Sequence, residues 1–222
     1  MRIYFARHGQ SQANTLREMS TRGLKHPLTQ TGRAQAADLV RRLEGRSISQ
    51  IYSSPVLRAI ETTVIVANQL GVDYEVAEAL REYDVGNLEG RADEQAWQIW
   101  QELFDDWAIH RRWDRRIEGG ETFHEVQNRF VPFVDDLIQK HGHADANLLC
   151  VAHGGLYWMM LPVVLKNVDT AFIDEHRGFD YTALVVAELR HSAKLALRQC
   201  VSPIAEAAFR VLHAVPLRDD RD

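Results

Sequence analysis

Phe5-Ala6-Arg7-His8-Gly9-Gln10-Ser11 follows directly on the apolar run that opens the chain, and together they read as a strand that ends in a charged pair and a glycine. A buried strand over Met1 to Ala6 delivers Arg7 and His8 at its carboxyl end, where open α/β sheets place their ligands. Gly9 is expected to let the backbone approach whatever His8 touches. The same design recurs far downstream. Asn147 to Ala152 is a continuous apolar strand that ends in His153-Gly154-Gly155, and an almost wholly apolar helix, Leu156 to Leu165, follows it.

Between these two strands the pattern alternates. Thr29 caps a helix whose apolar residues Ala36, Leu39, Val40 and Leu43 fall at i, i+3, i+4 and i+7. Ile51-Tyr52-Ser53 is a second strand, and Ser54-Pro55 reads as an N-cap with proline at the first helical position. The helix after it has an apolar stripe of Leu57, Ile60, Val64 and Ala67, which places Arg58 in the first turn but off the stripe, close to a helix N-terminus that favours anions. Tyr74-Glu75-Val76 reads as a third strand, followed by a loop that carries Glu82 and is terminated by Gly86 and Gly90.

Ala92 to Trp107 has helical spacing of Ala96, Trp97, Trp100, Leu103, Phe104 and Trp107, then a charged stretch from Arg111 to Arg116. The insertion, about residues 91–118, reads as a helical lid, with most of its tryptophans serving as core. A turn at Gly119-Gly120-Glu121-Thr122 leads into a long helix bearing Phe123, Val126, Phe130, Phe133, Val134 and Leu137. Pro132 inside it predicts a kink or two shorter helices, because an interior proline costs about 3 kcal/mol. Ala183 to Leu189 and Leu195 to Val201 complete the sheet, and the charged end from Arg218 is expected to fray. The alternation gives an α/β class: a three-layer α/β/α sandwich with a mostly parallel central sheet and helices on both faces, one domain over residues 1–222.

Composition narrows the partners. The 222 residues are 45% apolar and 26% charged, ordinary for a soluble globular protein, and no run of about 18 apolar residues offers a membrane span. No export signal is read at the start, so a cytoplasmic location is the default. Cys150 and Cys200 lie in apolar runs without zinc-like spacing, as buried thiols of a reducing compartment would. A net charge of −5 argues against a broad nucleic-acid surface. An anionic substrate therefore needs positive charge concentrated locally. Arg17, Arg22, Lys25 and His26 lie on a loop, Thr15 to Pro27, that leaves the first strand; they read equally as solvated charge and as an entrance to the site. His141 and His143, on either side of a glycine, read as a polar helix-to-strand turn ahead of a metal site.

Strand ends and the loops after them thus present Arg7, His8, Arg58, Glu82 and His153 on one face. Two histidines, two arginines and one carboxyl group suit phosphoryl transfer without a metal, since the transferred anion needs positive charge on its oxygens, a nucleophile and a proton donor. Singly, each has a plain alternative: a core histidine, an Arg58 paired with Glu61 or Glu82, or a surface Glu82.

The ordered blocks resemble the histidine phosphatase superfamily, whose best known branch is the cofactor-dependent phosphoglycerate mutases. Arg7-His8-Gly9 with Asn14, Leu28-Thr29 with Gly32 and Gln35-Ala36, Ser53-Ser54-Pro55 with Arg58-Ala59 and Glu61-Thr62, Leu80-Arg81-Glu82 with Gly86 and Glu89-Gly90, Gly119-Gly120-Glu121, and His153-Gly154-Gly155 carry the resemblance, over residues 1 to about 165. It implies that His8 is the nucleophile and forms a phosphohistidine, that Arg7 and Arg58 clamp the phosphoryl oxygens, that His153 donates a further hydrogen bond, and that Glu82 is general acid and then base. Ser11, Asn14 and the backbone N–H of Gly154 become further contacts to phosphate or substrate. It implies no metal and no cofactor.

The same resemblance leaves two activities. Mutases of the family carry a longer, arginine-bearing insertion after the acid, whereas about 38 residues separate Glu82 from Glu121 here. Lys25 stands where many members have aspartate, and Tyr181-Thr182-Ala183 lacks a frequent asparagine-serine pattern. The expected activity is a metal-independent phosphomonoesterase acting on a small phosphorylated metabolite held by the basic loop and the lid, with phosphoglycerate mutase as the alternative. A non-catalytic phospholigand-binding domain would be marked by loss of His8 or Glu82, and both are present. Exposed tryptophan or phenylalanine on the insertion would serve equally as the surface of a homodimer.

Overall fold

The computed structural model describes residues 1–142, 144–166, 168, 179–190 and 208–215. Its sheet contains β1 (Arg2–Arg7), β2 (Gln50–Ser53), β3 (Tyr74–Val76), β4 (Asn147–Ala152), β5 (Leu184–Arg190) and β6 (Ala208–Val215), in the order β3-β2-β4-β1-β5-β6. The pairings from β3 to β1 are parallel, and β5 pairs antiparallel with both β1 and β6. The sheet is therefore mostly parallel, as expected. The segment Leu195 to Val201, Cys200 and the charged end lie outside the described residues, and the described strand that pairs with β5 is Ala208–Val215.

Alternation along β1 and β4 divides the core into two layers. Ile3, Phe5, Leu148 and Cys150 face one side with helices α4 (Glu94–Ala108), α5 (Phe123–His141) and α6 (Gly154–Val164). Tyr4, Ala6, Leu149 and Val151 face the other, against α2 (Gln30–Leu43) and α3 (Leu57–Leu70). A short helix, α1 (Gln12–Leu16), leads the loop after β1. Because the chain leaves β1 toward the α2 layer and leaves β4 toward the α6 layer, a crevice opens between these neighbours at their carboxyl ends. Apolar periodicity located α2, where Ala36, Leu39, Val40 and Leu43 are all buried, and α5, whose Phe123, Val126, Phe130, Val134 and Leu137 are buried.

Two expectations for one helix are corrected, and one for another is narrowed. Helix α3 begins at Leu57 with Val56 as N-cap, so Ser54 and Pro55 do not start it. Its buried face is Arg58, Ala59, Thr62, Thr63, Val66 and Ala67, rotated from the apolar stripe read in the sequence. Polar side chains can take that face because their hydroxyls are satisfied: Thr62 Oγ1 donates to Arg58 O at 2.7 Å and accepts from Gly9 N at 3.1 Å, and Thr63 Oγ1 donates to Ser53 Oγ at 3.0 Å. Of the two outcomes that Pro132 left open, the break into two shorter helices does not occur: α5 runs across Pro132, which lies on its exposed side, where a carbonyl freed of its partner meets water.

Candidate active site

Register brings the motifs together. Arg7 pairs with Ala152 and Ser53 with Val151, so His8, His153 and Ser54 emerge beside one another from three neighbouring parallel strands. Backbone bonds hold them there: His8 N donates to Ala152 O at 3.0 Å and Ser54 N to Val151 O at 2.9 Å. Gly9 makes its close approach to Gly32 on α2, and not to a partner of His8; a Cβ on Gly9 would lie 2.4 Å from Gly32 O. That contact seats the first turn of α2 against the strand end.

The proton positions of both histidines follow from their neighbours. His8 Nδ1 donates to Gly9 O at 2.7 Å, and Arg58 Nε donates to His8 Nε2 at 2.8 Å. A guanidinium only donates, so Nε2 carries the lone pair and Nδ1 the proton. Burial, then the charges of Arg58 and Arg7, holds the His8 imidazole well below its usual range, in its neutral form. Arg58 Nη2 also donates to His153 Nδ1 at 3.1 Å, which leaves His153 Nε2 to donate to Ser54 Oγ at 2.7 Å. His153 is likewise held low by burial and by Arg58. Arg58 is drawn down to about 10, chiefly by burial, and so still carries its charge at neutral pH. These three side chains are 2% (His8), 5% (Arg58) and 0% (His153) exposed, so their bonds form in a medium that strengthens them.

Glu82 faces them from the loop after β3. Its Oε1 accepts from Tyr83 N at 3.1 Å and its Oε2 from Gly155 N at 3.0 Å. Burial raises its carboxyl group above the ordinary range, against the opposing pull of those N–H groups and of Arg58. The loop is braced from behind. Glu121 accepts from Arg81, from Arg129 and from Asp84 N, while Arg129 Nη1 donates to the carbonyls of Ala79 and Arg81 at 2.7 and 3.0 Å. In the sequence Gly119-Gly120-Glu121 is a turn and one block of the resemblance; in the fold Glu121 braces the loop that carries Glu82.

Arg7, His8, Asn14, Arg58, Glu82 and Gly154 all line one cleft of about 220 Å³. Arg7 lies with its guanidinium 4.3 Å from the Tyr181 ring centroid and donates through Nη1 to Phe179 O. Ser11 is fully buried and does not line the cleft; its backbone N–H and its Oγ each donate to Asn14 Oδ1 at 2.9 Å, which turns the Asn14 amide. His153 is not among the lining residues either and stands behind Arg58, whose Nη2 it meets through Nδ1. The basic loop differs more. Lys25 and His26 both pair with Glu18, and Arg22 pairs with Asp84, so from that loop the cleft receives Glu18, Met19, Ser20 and Thr21 and none of its cations. Trp97 and Trp100 of α4 do wall the cleft, joined by Trp158 of α6, whereas Trp107 is core.

Reading the sequence alone missed Ser54, Thr62, Arg129 and Trp158. Ser54 and Thr62 lie inside blocks that had been quoted, but nothing in their spacing indicates which partner they meet. Among the described residues no group of three or more histidine, cysteine or acidic side chains could hold a metal ion, and no helix is long and apolar enough to cross a membrane. His141, the neighbour of the helix-to-strand turn, is bonded to Tyr52 Oη at 3.0 Å, and His143 lies outside the described residues.

A sequence model of the histidine phosphatase superfamily, branch 1, matches residues 3–200. A Hydrogenobacter thermophilus protein, provisionally named phosphoserine phosphatase 2, is 32% identical over 205 residues, which cover 87% of this chain and 98% of that one. A Salmonella choleraesuis protein, provisionally named phosphoglycerate mutase GpmB, is 33% identical over 190 residues, 78% of this chain and 85% of that one. Among solved structures, Bacillus stearothermophilus YhfR superposes with a TM-score of 0.70 at 29% identity, covering 91% of this chain and 98% of its own. The mycobacterial glucosyl-3-phosphoglycerate phosphatase gives 0.71 at 24%, covering 95% and 96%, and shares the fold.

Proposed function

The chain belongs to the histidine phosphatase superfamily and is a phosphatase-type enzyme, and from that premise we propose a metal-independent phosphomonoesterase that works through phosphohistidine at His8 on a small phosphorylated metabolite. One observation carries the reading: His8 is neutral, its proton lies on Nδ1, and its Nε2 lone pair points at the cleft residue Arg58. This is the state a nitrogen nucleophile needs.

Each step uses a contact already described. An incoming phosphoryl oxygen is a stronger acceptor for Arg58 than an imidazole nitrogen, so Arg58 transfers its N–H bonds to the phosphate and uncovers Nε2. Arg7, the Asn14 amide and the N-terminus of α6 at Gly154 hold the remaining oxygens. The Nε2 lone pair forms the bond to phosphorus while the ester P–O bond breaks, and Glu82 gives its proton to the departing alkoxide. The alcohol leaves. Glu82, now a carboxylate, takes a proton from water as that water's oxygen attacks phosphorus; the P–N bond breaks, inorganic phosphate forms, and Glu82 is protonated again. His153 acts through Arg58, with Ser54 fixing its tautomer. The free, buried thiol of Cys150 is compatible with work in the cytoplasm.

The mutase alternative has the name of the Salmonella relative in its favour. It asks for cations to hold a second anionic group, and four arginines of the insertion are engaged elsewhere: Arg91 with Asp93, Arg112 and Arg115 with Asp106, Arg116 with Glu125. The deciding experiment measures phosphate release from phosphomonoesters with chelator present and traps the enzyme by rapid quench. The expected result is turnover plus an acid-labile phosphoenzyme that His8→Ala lacks, with turnover in that variant down by about 10⁴-fold or more. Turnover without the labelled enzyme, or retained by His8→Ala, refutes the mechanism, and formation of 2-phosphoglycerate from 3-phosphoglycerate with little free phosphate makes it a mutase.

A further inference from the structure

The cleft is sharply divided. At its inner end stand Arg7, Arg58 and the helix terminus at Gly154, which suit a phosphoryl group. Its outer wall is aromatic: Trp97 meets Trp100 edge-on at 5.6 Å, Trp100 stacks on Phe104 at 5.8 Å, and Phe104 lies 3.9 Å from the Trp158 ring. Trp97, Trp100 and Trp158 from this run line the cleft. Among the described lining side chains, the arginines are Arg7 and Arg58 and there is no lysine; the charge at the outer end is the carboxylate of Glu18.

From this division we infer that the alcohol half of the substrate is a flat aromatic ring carried close to the ester oxygen, with the phosphate as its sole anionic group. The inference rests on the phosphomonoesterase reading above and names the class of substrate for that site. Geometry sets the distance. Gly154 and Trp158 are i and i+4 on α6, so they share a helix face about 6 Å apart along the axis. A phosphate at Gly154 puts a ring joined by a short link against the Trp158 indole. Glu18 has Oε1 bound by Lys25 at 2.5 Å and by His26 at 2.9 Å, so the two charges offset each other there, and its Oε2 remains an acceptor for an N–H or O–H on the ligand. Trp97 cannot turn away easily, since its Nε1 donates to Arg17 O at 2.9 Å. A carboxylate or second phosphate in that chamber would meet an acceptor oxygen of Glu18, which offers it no hydrogen, and indole faces, whose quadrupoles repel anions.

The test compares kcat/KM of the full chain for benzyl phosphate, cyclohexylmethyl phosphate, glycerol 1-phosphate and 3-phosphoglycerate. Benzyl phosphate should exceed glycerol 1-phosphate about tenfold and the saturated ring about threefold, the size of an aromatic contact beyond area burial, with 3-phosphoglycerate lowest. Trp97→Leu and Trp158→Leu should each narrow the benzyl preference, and Glu18→Gln should raise the relative rate on 3-phosphoglycerate. Phosphate release from all four esters with no benzyl preference, or with cyclohexylmethyl phosphate equal to benzyl, overturns the ring inference and leaves the phosphomonoesterase standing. Release from none of them removes both readings. Should Trp158→Leu fail to fold, Trp97→Leu and the four-substrate comparison on the unaltered chain decide.

Discussion

Gly155→Ala isolates the placement of Glu82 from its chemistry. A Cβ built on Gly155 lies 2.7 Å from Tyr83 Cε1 and 2.9 Å from both Glu82 carboxylate oxygens. Contact distances for such atoms begin at about 3.5 Å, so something must yield by about 0.7 Å. Tyr83 has little room, being 2% exposed and packed edge-on against the equally buried Trp107 at 5.2 Å. The carboxylate and the first turn of α6 therefore move, and Glu82 loses the N–H bond from Gly155 that aims it. Two effects on stability oppose each other: alanine gains about 1 kcal/mol over glycine in a helix, and overpacking costs about 1–3 kcal/mol. The net loss is about 1 kcal/mol, or about 2–4 °C in Tm for a chain of this size. Activity is affected far more. A 1 Å misplacement costs about 100-fold, so kcat/KM for an alkyl phosphate should fall about 10- to 100-fold. Nitrophenyl phosphate, whose leaving group departs without a proton, should lose much less. The assay is steady-state phosphate release from both esters beside a melting curve. A folded Gly155→Ala enzyme with the original alkyl rate, or with equal losses on the two esters, refutes the claim that Gly155 is glycine to seat the acid.

Glu82→Gln should reproduce that pattern more strongly, with a loss on alkyl phosphates of about 10²- to 10⁴-fold and a small one on nitrophenyl phosphate; equal losses would remove Glu82 from the acid role. Arg58→Lys should lower kcat about 100-fold even though charge is kept, because an ammonium cannot reproduce the fixed fork that serves His8 through Nε and His153 through Nη2; a near-native rate would refute the two-sided role of Arg58. Stability should depend on pH through His8 and His153. Both are depressed below their ordinary 6.5, so the unfolded chain takes up protons that the fold refuses; the stabilisation is present above 6.5 and is lost as pH falls. Each contributes a slope of up to about 1.4 kcal/mol per pH unit below that value, and His8→Asn should flatten the curve of Tm against pH between about 7 and 5. An unchanged slope would show that His8 is not held neutral.

Legibility in the sequence followed the kind of interaction. Strand runs and the α2 and α5 stripes were readable because burial of apolar side chains repeats with the period of the element, and a histidine-glycine pair after a strand marks the end where ligands bind. In α3 the same rule misplaced the buried face. There Arg58, Thr62 and Thr63 are inside because each finds a polar partner on another strand, helix turn or loop, and no periodicity records a partner. Ser54 has the composition of a helix cap and is instead the acceptor for His153. By its charge the basic loop read equally as solvated and as an anion entrance; in space Lys25 and His26 pair with Glu18 and Arg22 with Asp84.

By itself, then, the sequence determined the α/β alternation, the place of His8 at a strand end and the set of residue types fit for phosphoryl transfer, because these depend on local pattern and on chemistry that side chains carry with them. The tertiary structure alone decided the proton on Nδ1 of His8, the arginine shared between two histidines, the braced and raised carboxyl of Glu82, and the aromatic, lysine-free outer cleft among the described residues. Those properties depend on distances between segments far apart in the chain, and on how burial makes an unpaired charge or donor costly enough to fix its partner.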